Sequence, residues 1–313
     1  MNIYKSILFG RLLLGIFRPR AICAPVIIAV TAACLVAVSL IDIGQIASCY
    51  AEGVPEKNNT GLRSLNLNDP KVRQSFVDLP IITLHTTQDL LYKNAQSYQG
   101  YEIAAFVNWF TKRASIDPSV AVITFIASDG YRLTVKAKDL INTKRVGALA
   151  FRVLNTKQEI SFPEATQGRL TFNPGPFVLV WEGEFSDSDH LPRPWSVVEL
   201  EVAEPGVPQA YIPHGSSSPE ILKGLGIFRE QCSKCHSINK VGGSLGPELN
   251  VPKNVTEYWS HDNLQEFIKE PRSFRWGSRM PSFAWLGAEQ IQAVIQYLRA
   301  MKGNKVCSSS EEC

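Results

Sequence analysis

The chain has 313 residues, room for two folded domains and extra segments, and its 45% hydrophobic and 19% charged residues form an ordinary globular balance. The formal net charge of +3 arises before Glu52, where Lys5, Arg11, Arg18 and Arg20 are met only by Asp42. From Glu52 onward 28 basic residues face 28 acidic ones, so the folded part lacks the concentrated basic excess of a nucleic-acid surface.

Residues Ala21 to Ile41 carry no charge, a run long enough to cross a hydrocarbon core about 30 Å thick. The basic residues all precede it, which predicts a cytoplasmic N-terminus and places everything after Asp42 outside. Two readings compete for residues 1–51. One is an uncleaved transmembrane helix anchoring the chain in a bacterial cytoplasmic membrane, with the folded domains in the periplasm. The other is a signal peptide cleaved near Cys49-Tyr50-Ala51, leaving a soluble periplasmic protein. The run exceeds the roughly 7–15 apolar residues of a signal core, which favours the anchor. Ile46-Ala47-Ser48-Cys49 also has the form of a lipoprotein box, but Asp42 puts a charge where that signal is apolar. Cys23 and Cys34 lie in the apolar run and read as inert small hydrophobes.

Residues 52–79 are polar, with Asn, Gly and Asp and no periodicity, and are expected to form a tether. From 80 to 203 the pattern is that of an α+β domain. Tyr101 to Lys112 predicts a helix with Ile103, Phe106, Val107 and Phe110 on one face. Val120 to Ala127 is apolar and β-branched, Ser128-Asp129-Gly130 turns the chain, and Tyr131 to Val135 returns, a hairpin signature. Further strands are expected at Gly147–Leu154, Phe177–Trp181 and Ser196–Val202. His85, His190 and His214 are far apart and lack ligand spacing, so structural or solvated roles are expected for them. Residues 204–218, rich in Pro, Gly and Ser, read as a linker.

The remainder, 219–303, is organised around Cys232-Ser233-Lys234-Cys235-His236. Two thiols three residues apart, followed at once by a histidine, is the spacing that fixes a c-type haem. The cysteines add to the vinyl groups and the imidazole becomes an iron ligand. A Cys-x-x-Cys pair alone could be a redox dithiol or half a zinc site, but the flanking elements match a one-haem fold. Ser217-Ser218-Pro219-Glu220 reads as a helix start with a serine cap, followed by Ile221, Leu222, Leu225 and Phe228 on one face. Ile291, Val294, Ile295 and Leu298 repeat at helical spacing, and Gly303 stops the helix. Residues 304–313 form a tail in which Cys307 and Cys313 either close a small disulfide loop or stay flexible.

Gly224, Phe228, Cys232, Cys235 and His236 together resemble the N-terminal helix of class I cytochromes c, and Gly246-Pro247 resembles their proximal loop. The resemblance implies that the Pro247 carbonyl accepts the second N–H of His236. Arg279-Met280-Pro281 resembles the family's distal loop, which implies Met280 as the sixth iron ligand, a soft thioether that raises the potential and leaves no site for substrate. Met301 and His261 are the nearby rivals and read as structural. If the distal loop runs along the haem edge as the resemblance implies, Arg272, Arg275 and Arg279, with Lys269 a turn earlier, would form a charged rim there; the other reading is a solvated, loop-stabilising charge run.

Phe125 to Tyr131, Ala148 to Phe151 and Gly175 to Trp181 resemble the molybdopterin-binding domain of sulfite-oxidase-type enzymes, the alternative being an unrelated α+β domain built of hairpins. That family holds molybdenum through a cysteine thiolate, and no cysteine occurs between Tyr50 and Gln231, so no molybdenum cofactor is expected. The combined expectation is an N-terminal transmembrane helix, an α+β central domain and an all-α cytochrome c domain carrying one covalent haem c. Its role would be electron transfer with redox protein partners, another cytochrome or a membrane oxidase or dehydrogenase, rather than self-contained catalysis. The alternatives are a sulfite-dehydrogenase-like enzyme feeding its own haem, and a haem-based redox sensor or scaffold.

Overall fold

The computed structural model describes residues 63–154, 162–167, 170–184, 190–215 and 218–306. The apolar run Ala21–Ile41, Ser217 and the tail cysteines lie outside them. No helix among the described residues is long and apolar enough to cross a membrane.

The central domain begins earlier than the composition suggests. β1 (Ser64–Asn66) pairs antiparallel with the domain's last strand, and Leu65, Leu67 and Phe76 are buried in the core. Asp69 caps helix α1 (Pro70–Gln74) by accepting from the Lys71 amide at 2.8 Å. The tether expected over 52–79 is therefore corrected from Arg63 onward, because three well-spaced apolar side chains are enough to seat a polar segment against a sheet. β2 (Ile81–Gln88) and β3 (Gln96–Glu102) follow as an antiparallel pair, and helix α2 (Ile103–Arg113) buries Ile103, Phe106, Val107 and Phe110, the face its periodicity predicts. The predicted hairpin is β4 (Val122–Ala127) and β5 (Arg132–Lys136). The short helix α3 (Ala137–Ile141) leads to β6 (Gly147–Val153). β7 (Ala165–Gln167) pairs with β8 (Leu170–Phe172), and β9 (Val178–Trp181), β10 (Gly183–Glu184) and β11 (Val197–Ala203) complete the set.

These strands form a four-stranded sheet in the order β1-β11-β4-β5 and a five-stranded sheet in the order β10-β2-β3-β6-β9. Strand alternation divides the second sheet between two cores. Leu149, Leu179 and Trp181 join Phe106, Phe110, Phe125 and Leu200 on one face. Ala148, Ala150, Val178 and Val180 join Leu84 and Tyr98 on the other. A sheet covered on both faces explains why β6 and β9 read as continuous apolar runs.

The C-terminal domain is helical. Helix α4 (Pro219–Ile227) is capped by Ser218, whose hydroxyl accepts from the Ile221 amide at 3.4 Å. Leu225 and Phe228 are buried, whereas Leu222, expected on the same face, is exposed. Helices α5 (His261–Lys269) and α6 (Pro271–Phe274) precede α7 (Ala288–Met301), whose Ile291, Val294, Ile295, Tyr297, Leu298 and Met301 are all buried. Part of the segment expected as a linker, at Ala210 and Tyr211, also belongs to this core. Tyr211 is buried edge-on against Phe228 at 5.4 Å, and its carbonyl accepts from the Tyr297 hydroxyl at 3.0 Å.

α4 crosses α7 at Gly224. A Cβ there would fall 2.0 Å from the Ala293 carbonyl oxygen, which is backbone and has nowhere to yield. Gly226, in the same helix, faces open space. Gly224→Ala should therefore lower stability by about 1–3 kcal/mol through overpacking, whereas Gly226→Ala should be neutral or stabilising by up to about 1 kcal/mol through helix propensity. Denaturant midpoints of the two variants test this, and equal midpoints would show that the crossing is not close packed.

Candidate functional site

The site begins where α4 gives way to a wider turn over Phe228–Cys232, in which the Ser233 amide reaches back to the Phe228 carbonyl at 2.8 Å. Such a widening commonly marks a functional position in a helix. The amides of Cys235 and His236 then both donate to the Cys232 carbonyl, at 3.1 and 2.9 Å. One turn of chain thus carries both thiols and the imidazole.

His236 Nδ1 lies 2.8 Å from the Pro247 carbonyl oxygen. A carbonyl only accepts, so Nδ1 carries the proton and Nε2 keeps its lone pair for a metal. The ring packs on backbone at Gly246, where an added Cβ would come within 2.5 Å of its atoms. Burial lowers the His236 pKa, against the opposing pull of the Pro247 hydrogen bond and Glu248, so the imidazole is held neutral at pH 7. Burial also raises the Cys232 thiol to about 12, helped by Cys235 and opposed by Lys234. The Cys235 thiol is raised by burial and then by Asp129, while Lys234 and Arg279 oppose the shift.

The loop beyond Pro247 is fixed by side chains that the motif reading passed over. The Glu248 carboxylate accepts from the amides of Asn239, Lys240 and Asn250 at 3.0, 3.0 and 2.8 Å. Buried asparagines continue the path: Asn250 donates to Asn239 at 2.9 Å, and Asn254 donates to Asn250 at 2.8 Å and to the Leu298 carbonyl of α7 at 2.9 Å. The signal in the sequence was a loop holding three asparagines and a glutamate near Pro247, residue types that bind backbone when buried.

Met280 is half-buried against the same core cluster that Cys232 touches. Its neighbour Arg279 reaches the central domain, with a terminal guanidinium nitrogen 3.4 Å from Asp129 Oδ2. Lys269 pairs with Glu266 at 3.7 Å, so two of the four cations expected in a charged rim have carboxylate partners. Around this loop Trp276 and Trp285 are 80% and 64% exposed, and Phe274 is also exposed. Of the rival ligands, Met301 is wholly buried in the helix core, and His261 opens α5 with Nδ1 buried and unpartnered. His85 binds the Ser97 hydroxyl at 2.8 Å, on a strand remote in sequence from the motif. Among the described residues no cluster of three or more His, Cys, Asp or Glu could hold a metal ion.

Two thiols on one turn, a neutral oriented imidazole, a thioether loop on the same core and uncovered aromatic rings beside it fit a covalently held, apolar macrocycle. A family profile described as cytochrome c oxidase, cbb3-type, subunit III matches residues 219–298. Cytochrome c of Theileria parva is 34% identical over 111 residues, covering 29% of this chain and 91% of that protein. Cytochrome c of Theileria annulata is 32% identical over a similar span. Cytochrome c oxidase subunit 2 of Alkalihalophilus pseudofirmus is 31% identical over 87 residues, 26% of this chain and only 25% of that relative's length. The matched profile stops short of the central domain, whose likeness to molybdopterin-binding domains gains no support from it. The C-terminal domain carries a covalently bound haem c and transfers electrons, and through it the chain belongs to the cytochrome c family.

Proposed function

We propose that the chain is a single-haem electron carrier held at the outer face of a bacterial membrane, working beside a respiratory oxidase. The bond from His236 Nδ1 to the Pro247 carbonyl carries the assignment of residues, because it fixes the tautomer that leaves Nε2 to the iron. Cys232 and Cys235 supply the thioether sulfurs and His236 the proximal nitrogen. Met280 completes the set from a loop packed on the same core. When bound, the haem supplies one-electron chemistry, with thioether ligation favouring the ferrous state.

The oxidase link draws on relatives whose printed names are oxidase subunits. The membrane tether draws on the uncharged run Ala21–Ile41 and the basic residues before it. In this reading the central domain positions the haem domain and holds no metal of its own.

Three measurements test the proposal. Haem should stay with the polypeptide on a denaturing gel, and Cys232→Ala with Cys235→Ala should abolish the haem stain; haem released from wild type by acidified solvent would overturn the thioether assignment. The ferric protein should show a weak near-infrared sulfur-to-iron band that Met280→Ala removes and His261→Ala leaves in place, and a wild-type protein without that band would transfer the ligand to a nitrogen such as that of His261. Protein made in a host with intact molybdenum-cofactor synthesis should contain iron without stoichiometric molybdenum. A stoichiometric molybdenum content would replace the carrier reading with an enzyme that feeds its own haem.

A further inference from the structure

The β4–β5 turn of the central domain touches the haem domain at three places around the motif. The Arg132 amide donates to the Lys234 carbonyl, inside the Cys-x-x-Cys-His turn, at 2.8 Å. The Ser244 amide, between His236 and Pro247, donates to the Gly130 carbonyl at 3.0 Å. Asp129 faces Arg279, the residue before Met280. One turn of one domain therefore bridges the proximal motif, the proximal loop and the distal loop of another.

The local chemistry of the turn produces this reach. Asp129 Oδ1 accepts from the Tyr131 amide at 3.1 Å, which holds the side chain against its own turn and leaves Oδ2 directed at Arg279. Gly130 sits at φ +86, and a Cβ on it would fall 2.1 Å from the Ser244 hydroxyl oxygen and 3.2 Å from backbone of the same residue. Glycine satisfies both the turn and the close approach. Because the two backbone bonds fix the turn on the proximal side, Asp129 is presented to the distal loop from a stationary base.

We propose that Asp129 is a positioning residue for Met280: through Arg279 it tethers the distal loop to the turn that already grips the proximal motif, and so disfavours departure of the thioether from the iron. The proposal rests on the reading of Met280 as the sixth ligand. The pair is an exposed one, with side chains 61% and 41% accessible, so its effect is modest and sensitive to salt. A modest effect suffices here, because an external ligand that can bind only when the sulfur has left senses the open fraction directly.

The test is a titration of the ferric, haem-loaded full chain with imidazole, whose nitrogen takes the place of the methionine sulfur. At low salt Asp129→Asn should bind imidazole about two- to fivefold more tightly than wild type, and Arg279→Gln should do the same. The double variant should match either single one, since both remove one interaction. Asp129→Glu should stay close to wild type, and high salt should bring wild type toward Asp129→Asn. Unchanged imidazole affinity in Asp129→Asn would overturn the proposal. So would a raised potential without any change in affinity, which would make Asp129 a nearby charge rather than a tether. Absence of the sulfur-to-iron band in wild type would instead overturn the Met280 reading itself, and the tether with it.

Discussion

The hydrogen bond from His236 Nδ1 to the Pro247 carbonyl is the constraint on which the haem domain turns. It selects the tautomer, sets the ring plane and aims Nε2, and it can do so only if Pro247 cannot move. Glu248 immobilises the loop by collecting amides from Asn239, Lys240 and Asn250. The asparagine path then fastens the loop to the Leu298 carbonyl in α7. α7 crosses α4 at Gly224, and α4 runs directly into the turn that delivers Cys232, Cys235 and His236. The supports form a closed circuit, so a disturbance at the helix crossing reaches the histidine by packing and by hydrogen bonds alike. Buried amide networks of this kind hold only when every member is partnered.

What was legible in the sequence follows from where burial is one-sided. α2 and α7 each hide a single face, so their 3.6-residue periodicity showed, and the β4–β5 hairpin announced itself through β-branched residues around Asp129-Gly130. The haem motif was legible because covalent chemistry demands fixed spacing. β2 and β3 were not, since Gln96-Ser97-Tyr98-Gln99-Gly100 buries little beyond Tyr98 and Gly100 and reads as loop. β1 was hidden for the same reason, its polar neighbours outnumbering Leu65 and Leu67. Tyr211 was concealed by the prolines and glycines around it, which suggested a linker where a buried aromatic docks on Phe228. The asparagine path had no periodicity at all, because its partners are backbone groups of distant segments.

The central domain shows why fold legibility did not become function there. A buried titratable pair among its described residues, Tyr98 with Asp89, is fully partnered. The Tyr98 hydroxyl donates to Asp89 at 2.8 Å, while the other carboxylate oxygen takes the Leu91 and Tyr92 amides. Burial, reinforced by Asp89, pushes the Tyr98 pKa far above the ordinary tyrosine value, so this phenol stays protonated and structural.

Contacts between the two domains at the haem motif divide into two kinds with different physics. The backbone bonds at Gly130 and Arg132 are short and independent of side-chain charge, so they set where the turn sits. The Asp129–Arg279 pair is longer and exposed, and surface pairs of this sort contribute on the order of 0–1 kcal/mol to folding. That energy is too small to hold two domains together, yet under the proposed ligation by Met280 it is comparable to the tilt that would change how often the thioether is found off the iron. On that reading the stability of the assembly and the grip on the distal loop reside in different bonds, and ionic strength should act on the second while leaving the first in place.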